Sequence, residues 1–125
     1  MSVSNNFLRI GVLALICGVC LGAWMGANEN FTLRPVHAHI NLIGWASMMI
    51  YGLFYRVFPG SERGWAPVTQ FVLAVAGLVL MMTGLAALLL GKPALIPVML
   101  AGEVMTLVSI LLFAAILFRA TGRKT

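Results

Sequence analysis

Charged side chains are scarce in this sequence. The chain of 125 residues carries eight Lys and Arg and three Asp and Glu, so that 9% of its residues are charged and 62% are hydrophobic. A soluble domain has about a quarter of its residues charged. The shortage excludes a soluble globular enzyme, a disordered segment and a nucleic-acid-binding domain of the usual kind, despite the net charge of +5. The composition and short length together predict a single integral membrane domain.

Four apolar stretches are long enough to cross a bilayer, whose hydrocarbon core of about 30 Å takes about 20 helical residues. They cover residues 7–27, 33–58, 66–90 and 94–118. A backbone inside the bilayer must satisfy its own hydrogen bonds, so each stretch is predicted to be helical. Short loops make neighbouring helices antiparallel. The sequence therefore predicts an all-α, integral membrane four-helix bundle, in which the first stretch is retained rather than cleaved as a signal peptide.

The basic residues are divided unevenly between the two ends of this predicted bundle. Arg34 and Lys92 fall at one end, and the other end carries six: Arg9, Arg56, Arg63, Arg119, Arg123 and Lys124. By the positive-inside rule, the end with six faces the cytoplasm, which gives an N-in/C-in topology. The lipid bilayer is then an obligatory partner, to which a polybasic contact of residues 119–124 with anionic lipid would add little.

Polar residues are costly in a membrane, and they are concentrated where the second stretch begins. Residues 34–41 read R-P-V-H-A-H-I-N and contain both histidines of the chain, His37 and His39. On a regular helix these two residues point about 200° apart, so they cannot both bind one small ion. Each is either a hydrogen-bonded helix residue or a ligand for a cofactor or metal, and the pattern alone leaves both interpretations open.

The two histidines begin two different faces of the predicted helix. The face of His37 continues with small and polar residues, among them Asn41, Gly44 and Met48, whereas the face of His39 is apolar. Gly44 lies two turns below His37, where the absence of a side chain leaves space for a flat porphyrin ring. Arg34, one turn before His37, is placed to pair with a haem propionate, to pair with Glu29 or to remain a solvated boundary charge.

The same region resembles a known family. Residues 34–45, R-P-V-H-A-H-I-N-L-I-G-W, and the exit Y-R-V-F-P at 55–59 resemble the second transmembrane helix of the large subunit of haem-copper oxidases, above all of the nitric oxide reductase branch. Small four-span bacterial proteins described as oxidase subunit I-like carry a similar segment. The resemblance implies a bacterial inner-membrane protein in which His37, with His39 as a second candidate, is an axial ligand of haem b near the outer face.

The departures from that family limit the function that the resemblance implies. No histidine follows His39, so the chain lacks the ligands of a haem-copper binuclear centre and is not expected to be an autonomous enzyme. A second axial histidine would come from another copy in a homo-oligomer, or from His39. A bis-His haem favours electron transfer, and an open position favours binding of NO or O₂. The alternatives are a copper-binding or copper-delivery protein and a cofactor-free accessory subunit of a respiratory complex.

Three further features are candidates for a functional role. Glu103 lies about 14 Å along the fourth stretch, and we expect its carboxyl group to face the interior, either as a functional group or as a hydrogen-bonded link between helices. Cys17 and Cys20 form C-x-x-C in the first stretch, as apolar filler or, with methionines, as a soft site for Cu(I). Glycines recur along the same stretch and predict close packing, within the chain or between copies. These glycines are Gly11, Gly18, Gly22 and Gly26.

Overall fold

The computed structural model describes residues 2–122, and this part of the chain consists of helices and short connections. Helix α1 spans Val3–Asn28. A second segment, residues 34–57, contains α2 (Arg34–His39), a π-helix (Ile40–Ala46) and α3 (Ser47–Val57). After a 3₁₀ turn (Pro59–Glu62), α4 spans Trp65–Leu89. A second 3₁₀ turn (Pro93–Leu95) leads into α5 (Ile96–Thr121).

The helix boundaries follow local sequence signals. The hydroxyl of Ser2 accepts a hydrogen bond from the backbone N–H of Asn5 at 3.2 Å, which caps the N-terminus of α1. Prolines occupy the first turns of α2 and α5, where the missing N–H costs no helical hydrogen bond. Helix α4 ends before Gly91, whose φ of 84° suits glycine because other residues are strained there. The predicted all-α class is therefore confirmed, with boundaries shifted by a few residues.

Three of the four predicted stretches are helices long and apolar enough to cross a membrane: Val3–Asn28, Trp65–Leu89 and Pro93–Thr121. The second segment is interrupted by its π-helix. The Ser47 hydroxyl donates to the carbonyl of Leu42, five residues earlier, at 2.8 Å, which satisfies a carbonyl in this wider helix. A π-helix adds a residue to a turn and often marks a functional site.

The helices pack as two hairpins joined by an apolar core. Helix α1 packs along the second segment, and α4 packs closely along α5. Aromatic rings join the two hairpins at one end: Phe7 of α1 packs on Phe71 of α4 with centroids 4.9 Å apart, and Tyr51 of α3 packs on Phe113 of α5 at 4.6 Å. Large apolar side chains cover the outside, including Val57 at 70% and Leu42 at 67% exposure. This exposed apolar surface suits a lipid environment.

The beginning of α1 lies near the connection that precedes α4. The carboxylate of Glu62 accepts hydrogen bonds from the Ser2 hydroxyl at 3.1 Å and from the Ser4 backbone N–H at 2.6 Å. Arg56 donates to the Ser4 hydroxyl at 2.9 Å, which in turn donates to the carbonyl of Gly52. Of the residues in the predicted basic end, Arg56 thus joins the beginning of α1 to the end of α3 by hydrogen bonds. Arg123 and Lys124, which were predicted to belong to this end, lie outside the described residues.

Candidate functional site

His37 lies at the interface between α1 and the second segment, and both of its ring nitrogens have partners. Nδ1 is 2.8 Å from the carbonyl oxygen of Gly18, and because a carbonyl only accepts, Nδ1 carries the proton and donates. Nε2 then accepts from Nδ2 of Asn41 at 3.3 Å. The side chain of His37 therefore connects the two helices by hydrogen bonds through both of its nitrogens.

Glycines on α1 create the space that His37 and Asn41 occupy. A Cβ atom added at Gly22 would lie 2.8 Å from Cε1 of His37, and one added at Gly18 would overlap Oδ1 of Asn41. That Oδ1 atom is buried and has no hydrogen-bond partner among residues 2–122. Two of the recurring glycines thus serve packing within the chain, as does Gly11 against Met49, whereas Gly26 has open space around it.

His39 faces away from this interface. Its Nδ1 donates to the carbonyl oxygen of Pro35, one turn earlier, at 2.7 Å. This bond puts the proton on Nδ1 and leaves the lone pair of Nε2 available as a ligand. The His39 side chain is half-buried, and large apolar residues further along the second segment are exposed: Leu42, Ile50, Leu53 and Val57. Its surroundings suit an apolar ligand or another protein chain.

Gly44 and Met48 do not line an open slot. A Cβ atom added at Gly44 would lie 2.8 Å from Cβ of Ala14, so α1 fills the space that was expected for a porphyrin ring. Met48 is completely buried in the apolar core. The expectation of free space below His37 is therefore wrong, because the glycines of α1 bring the two backbones close enough to fill it.

Glu103 is exposed on the outside of the bundle, which contradicts its predicted inward orientation. Gly102, Thr106 and Ser109 form the face of α5 that is buried. A Cβ atom added at Gly102 would overlap the backbone nitrogen of Met81 in α4, so the buried face of α5 requires small residues where it contacts α4. The Glu103 carboxyl group lies beside this buried face and projects outward.

The remaining predicted residues lie apart from His37. Cys17 and Cys20 are free thiols on the exposed face of α1. Arg34 is exposed where the second segment begins, with its guanidinium carbon 5.4 Å from the ring centroid of Phe31. Within residues 2–122, no three His, Cys, Asp or Glu side chains are grouped as ligands of one metal ion. The structure thus brings together only His37 and Asn41 from the predicted site.

A second buried polar group, around Gln70, was not predicted from the sequence. Gln70 of α4 is completely buried; its Oε1 accepts from the Tyr55 hydroxyl at 2.8 Å, and its backbone carbonyl accepts from the Ser109 hydroxyl at 3.0 Å. Its Nε2 has no partner in the part of the chain that the structure describes. The sequence contains a pattern that predicts this burial, because Gln70 is an isolated amide in an apolar stretch, where polar side chains usually face the interior.

The sequence was compared with family models, curated proteins and solved structures. No family model, curated protein or solved structure matches it.

Proposed function

We propose that this chain is a haem b-binding, cytochrome-like protein of the bacterial inner membrane, with its helices inserted as a four-helix bundle and both termini in the cytoplasm. One observation carries the proposal. Nδ1 of both His37 and His39 donates to a backbone carbonyl, at 2.8 and 2.7 Å. In a haem ligand such a bond fixes the tautomer and ring orientation and leaves the Nε2 lone pair directed at iron.

His39 is the better placed of the two ligands. Its Nε2 lies on an exposed, apolar side of the second segment, where a flat cofactor does not have to displace packed side chains. Nε2 of His37 instead accepts from Asn41, and Gly22 lies against the His37 ring. For His37 to bind iron, the Asn41 amide would have to rotate away. We therefore assign His39 as the ligand and His37 as the residue that holds its helix against α1.

The outward position of His39 supports a homo-oligomer. A haem held at this surface would leave room for a second copy of the chain, whose own histidine would be the second protein ligand. The exposed Arg34, five residues before His39 at the beginning of the segment, is available for a propionate. The haem, when bound, supplies one-electron redox chemistry or a site for NO or O₂. Of the chain's own residues, His39 would hold the haem through Nε2, and the bond from its Nδ1 to Pro35 would fix the orientation of the imidazole ring.

A second candidate is a cofactor-free accessory subunit of a respiratory oxidase. Complete hydrogen bonding of His37 favours it, because this histidine then needs no cofactor to account for its buried position. The apolar outer faces would contact the larger complex. Copper delivery is less well supported, because Cys17 and Cys20 are exposed on α1 and no three of the described His, Cys, Asp or Glu residues form a metal-ligand group.

Absorption spectra of the purified protein test the proposal. Protein from haem-replete cells should show a Soret band and split α and β bands on reduction, with one haem for every two chains if the site is shared. His39→Ala should lose these bands. His37→Ala should keep them at lower thermal stability, and Glu103→Gln serves as the control at an exposed position. A colourless wild-type protein that copurifies with an oxidase would favour the accessory role instead.

A further inference from the structure

A cavity of about 350 Å³ opens at the end of the molecule that holds residues 59–64 and the end of α5. Two arginines from separate elements line it, Arg63 before α4 and Arg119 near the end of α5. Both are exposed, so their guanidinium groups are available to a ligand from outside. In the sequence, both arginines mark the predicted cytoplasmic side, and Arg119 also belongs to the basic run 119–124, from which little contact with anionic lipid was expected.

The electrostatic field in this cavity is positive for a further reason. Ala66 and Pro67, in the first turn of α4, also line the cavity, and no side chain caps this helix. The N-terminus of a helix carries a partial positive charge, and Ala66 has a first-turn N–H group without an intrahelical acceptor, whereas Pro67 has no N–H. The nearest acidic residue in sequence, Glu62, accepts hydrogen bonds from Ser2 and Ser4 of the α1 end instead. The Glu62 carboxylate therefore binds the beginning of α1, and Glu62 is not among the residues that line the cavity.

The wall of the cavity is amphipathic. Pro67, Ile116 and Ala120 supply apolar surface beside the two arginines. Trp65 is next to the cavity residues in sequence and is 73% exposed. Tryptophan is enriched at the level of lipid headgroups, and basic pockets between helix ends on the cytoplasmic side bind anionic headgroups. The lining thus matches a ligand that combines a phosphate with an apolar chain.

We propose that this cavity binds the phosphate group of an anionic phospholipid of the cytoplasmic leaflet. Arg63 and Arg119 donate charge-assisted hydrogen bonds to the phosphate oxygens, for which planar guanidinium groups are well suited. Ile116 and Ala120 contact the first part of the lipid chain. The inference rests on the proposed membrane insertion and is independent of the haem.

Native mass spectrometry of the full chain released from detergent tests this site. The protein is titrated with phosphatidylglycerol, with phosphatidylcholine and with inorganic phosphate. Phosphatidylglycerol should bind at one saturable site, and the double variant Arg63→Gln/Arg119→Gln should weaken that binding about thirtyfold. The single variants should lie in between. Arg9→Gln, which removes an exposed arginine of α1 outside the cavity, is the matched control and should bind like the wild type.

The outcomes separate the two sources of phosphate. If inorganic phosphate at millimolar concentration displaces phosphatidylglycerol and depends on the same two arginines, the site binds phosphate but selects a soluble ligand, which overturns the lipid assignment. Equal binding by the double variant and Arg9→Gln overturns the site itself. The haem spectrum and the melting temperature are recorded for each variant. A failure of lipid binding with the haem bands intact is thereby distinguished from a failure of the proposed function.

Discussion

Gly22 packs against the His37 ring at the interface of α1 and the second segment, and this contact leaves no space for a larger side chain at position 22. Gly22→Leu should lower the free energy of unfolding by about 1–3 kcal/mol, because its new side chain would collide with the His37 ring, which lies 2.8 Å from a Cβ at this position. Thermal unfolding in detergent measures the effect.

Gly26→Leu is the matched control for that substitution. It makes the same change one turn further along α1, where nothing lies within 4 Å of an added Cβ atom, so stability should be unchanged or slightly higher. Equal losses in the two variants would contradict the close contact between Gly22 and His37.

For the two histidines, the sequence predicted the direction of each side chain but not its hydrogen-bond partner. Helical periodicity indicated correctly that His37 and His39 point to different sides. It did not indicate that Nδ1 of His37 would reach the carbonyl of Gly18, because that partner is nineteen residues away in sequence. Glu103 was misplaced for a related reason. Acidic residues are expected to face the interior of a bundle, but this expectation ignores how much space the neighbouring helix leaves. Here α4 lies so close to α5 that only small side chains fit between them.

At the scale of elements, the α4–α5 hairpin depends on three glycines. Gly77 and Gly84 of α4 and Gly102 of α5 each lie so close to the opposite helix that an added Cβ atom would meet it within 2.6 Å. Close backbone approach increases van der Waals contact, which drives helix association where the hydrophobic effect is absent. Close packing was predicted from the glycines of the first stretch and not from those of the third and fourth, where the approach of the helices is at least as close.

Gly102→Val should separate this hairpin. We expect a loss of about 1–3 kcal/mol in the free energy of unfolding, because backbone atoms of Met81 cannot move aside as a flexible side chain would. Denaturation by a detergent titration provides the measurement.

Ala101→Val controls for the lower helix propensity of a β-branched residue, since Ala101 is exposed on the same turn. Two variants of similar stability would show that propensity, and not packing, accounts for the loss.

At the scale of the whole molecule, the proposed orientation can be measured directly. Cys17→Ser/Cys20→Ser removes both native thiols, and Gly60→Cys or Lys92→Cys then adds one thiol at an exposed position of either connection. Because basic residues are retained on the cytoplasmic side, an impermeant thiol reagent should label Lys92→Cys in intact spheroplasts and Gly60→Cys only after lysis. The reverse pattern would contradict the N-in/C-in topology.

The sequence by itself determined that this is an all-α protein with long apolar helices, because hydrophobicity and the scarcity of charge are properties of composition and do not depend on packing. It also located the helices to within a few residues, since apolar length and the positions of proline and glycine are local signals. The tertiary structure alone decided which side chains meet. It joined His37 to Gly18, turned His39 and Glu103 outward, filled the space beside Gly44 and assembled the cavity of Arg63 and Arg119 from elements more than fifty residues apart. Such contacts depend on how closely two helices approach, and that distance is set by small residues on both partners at once.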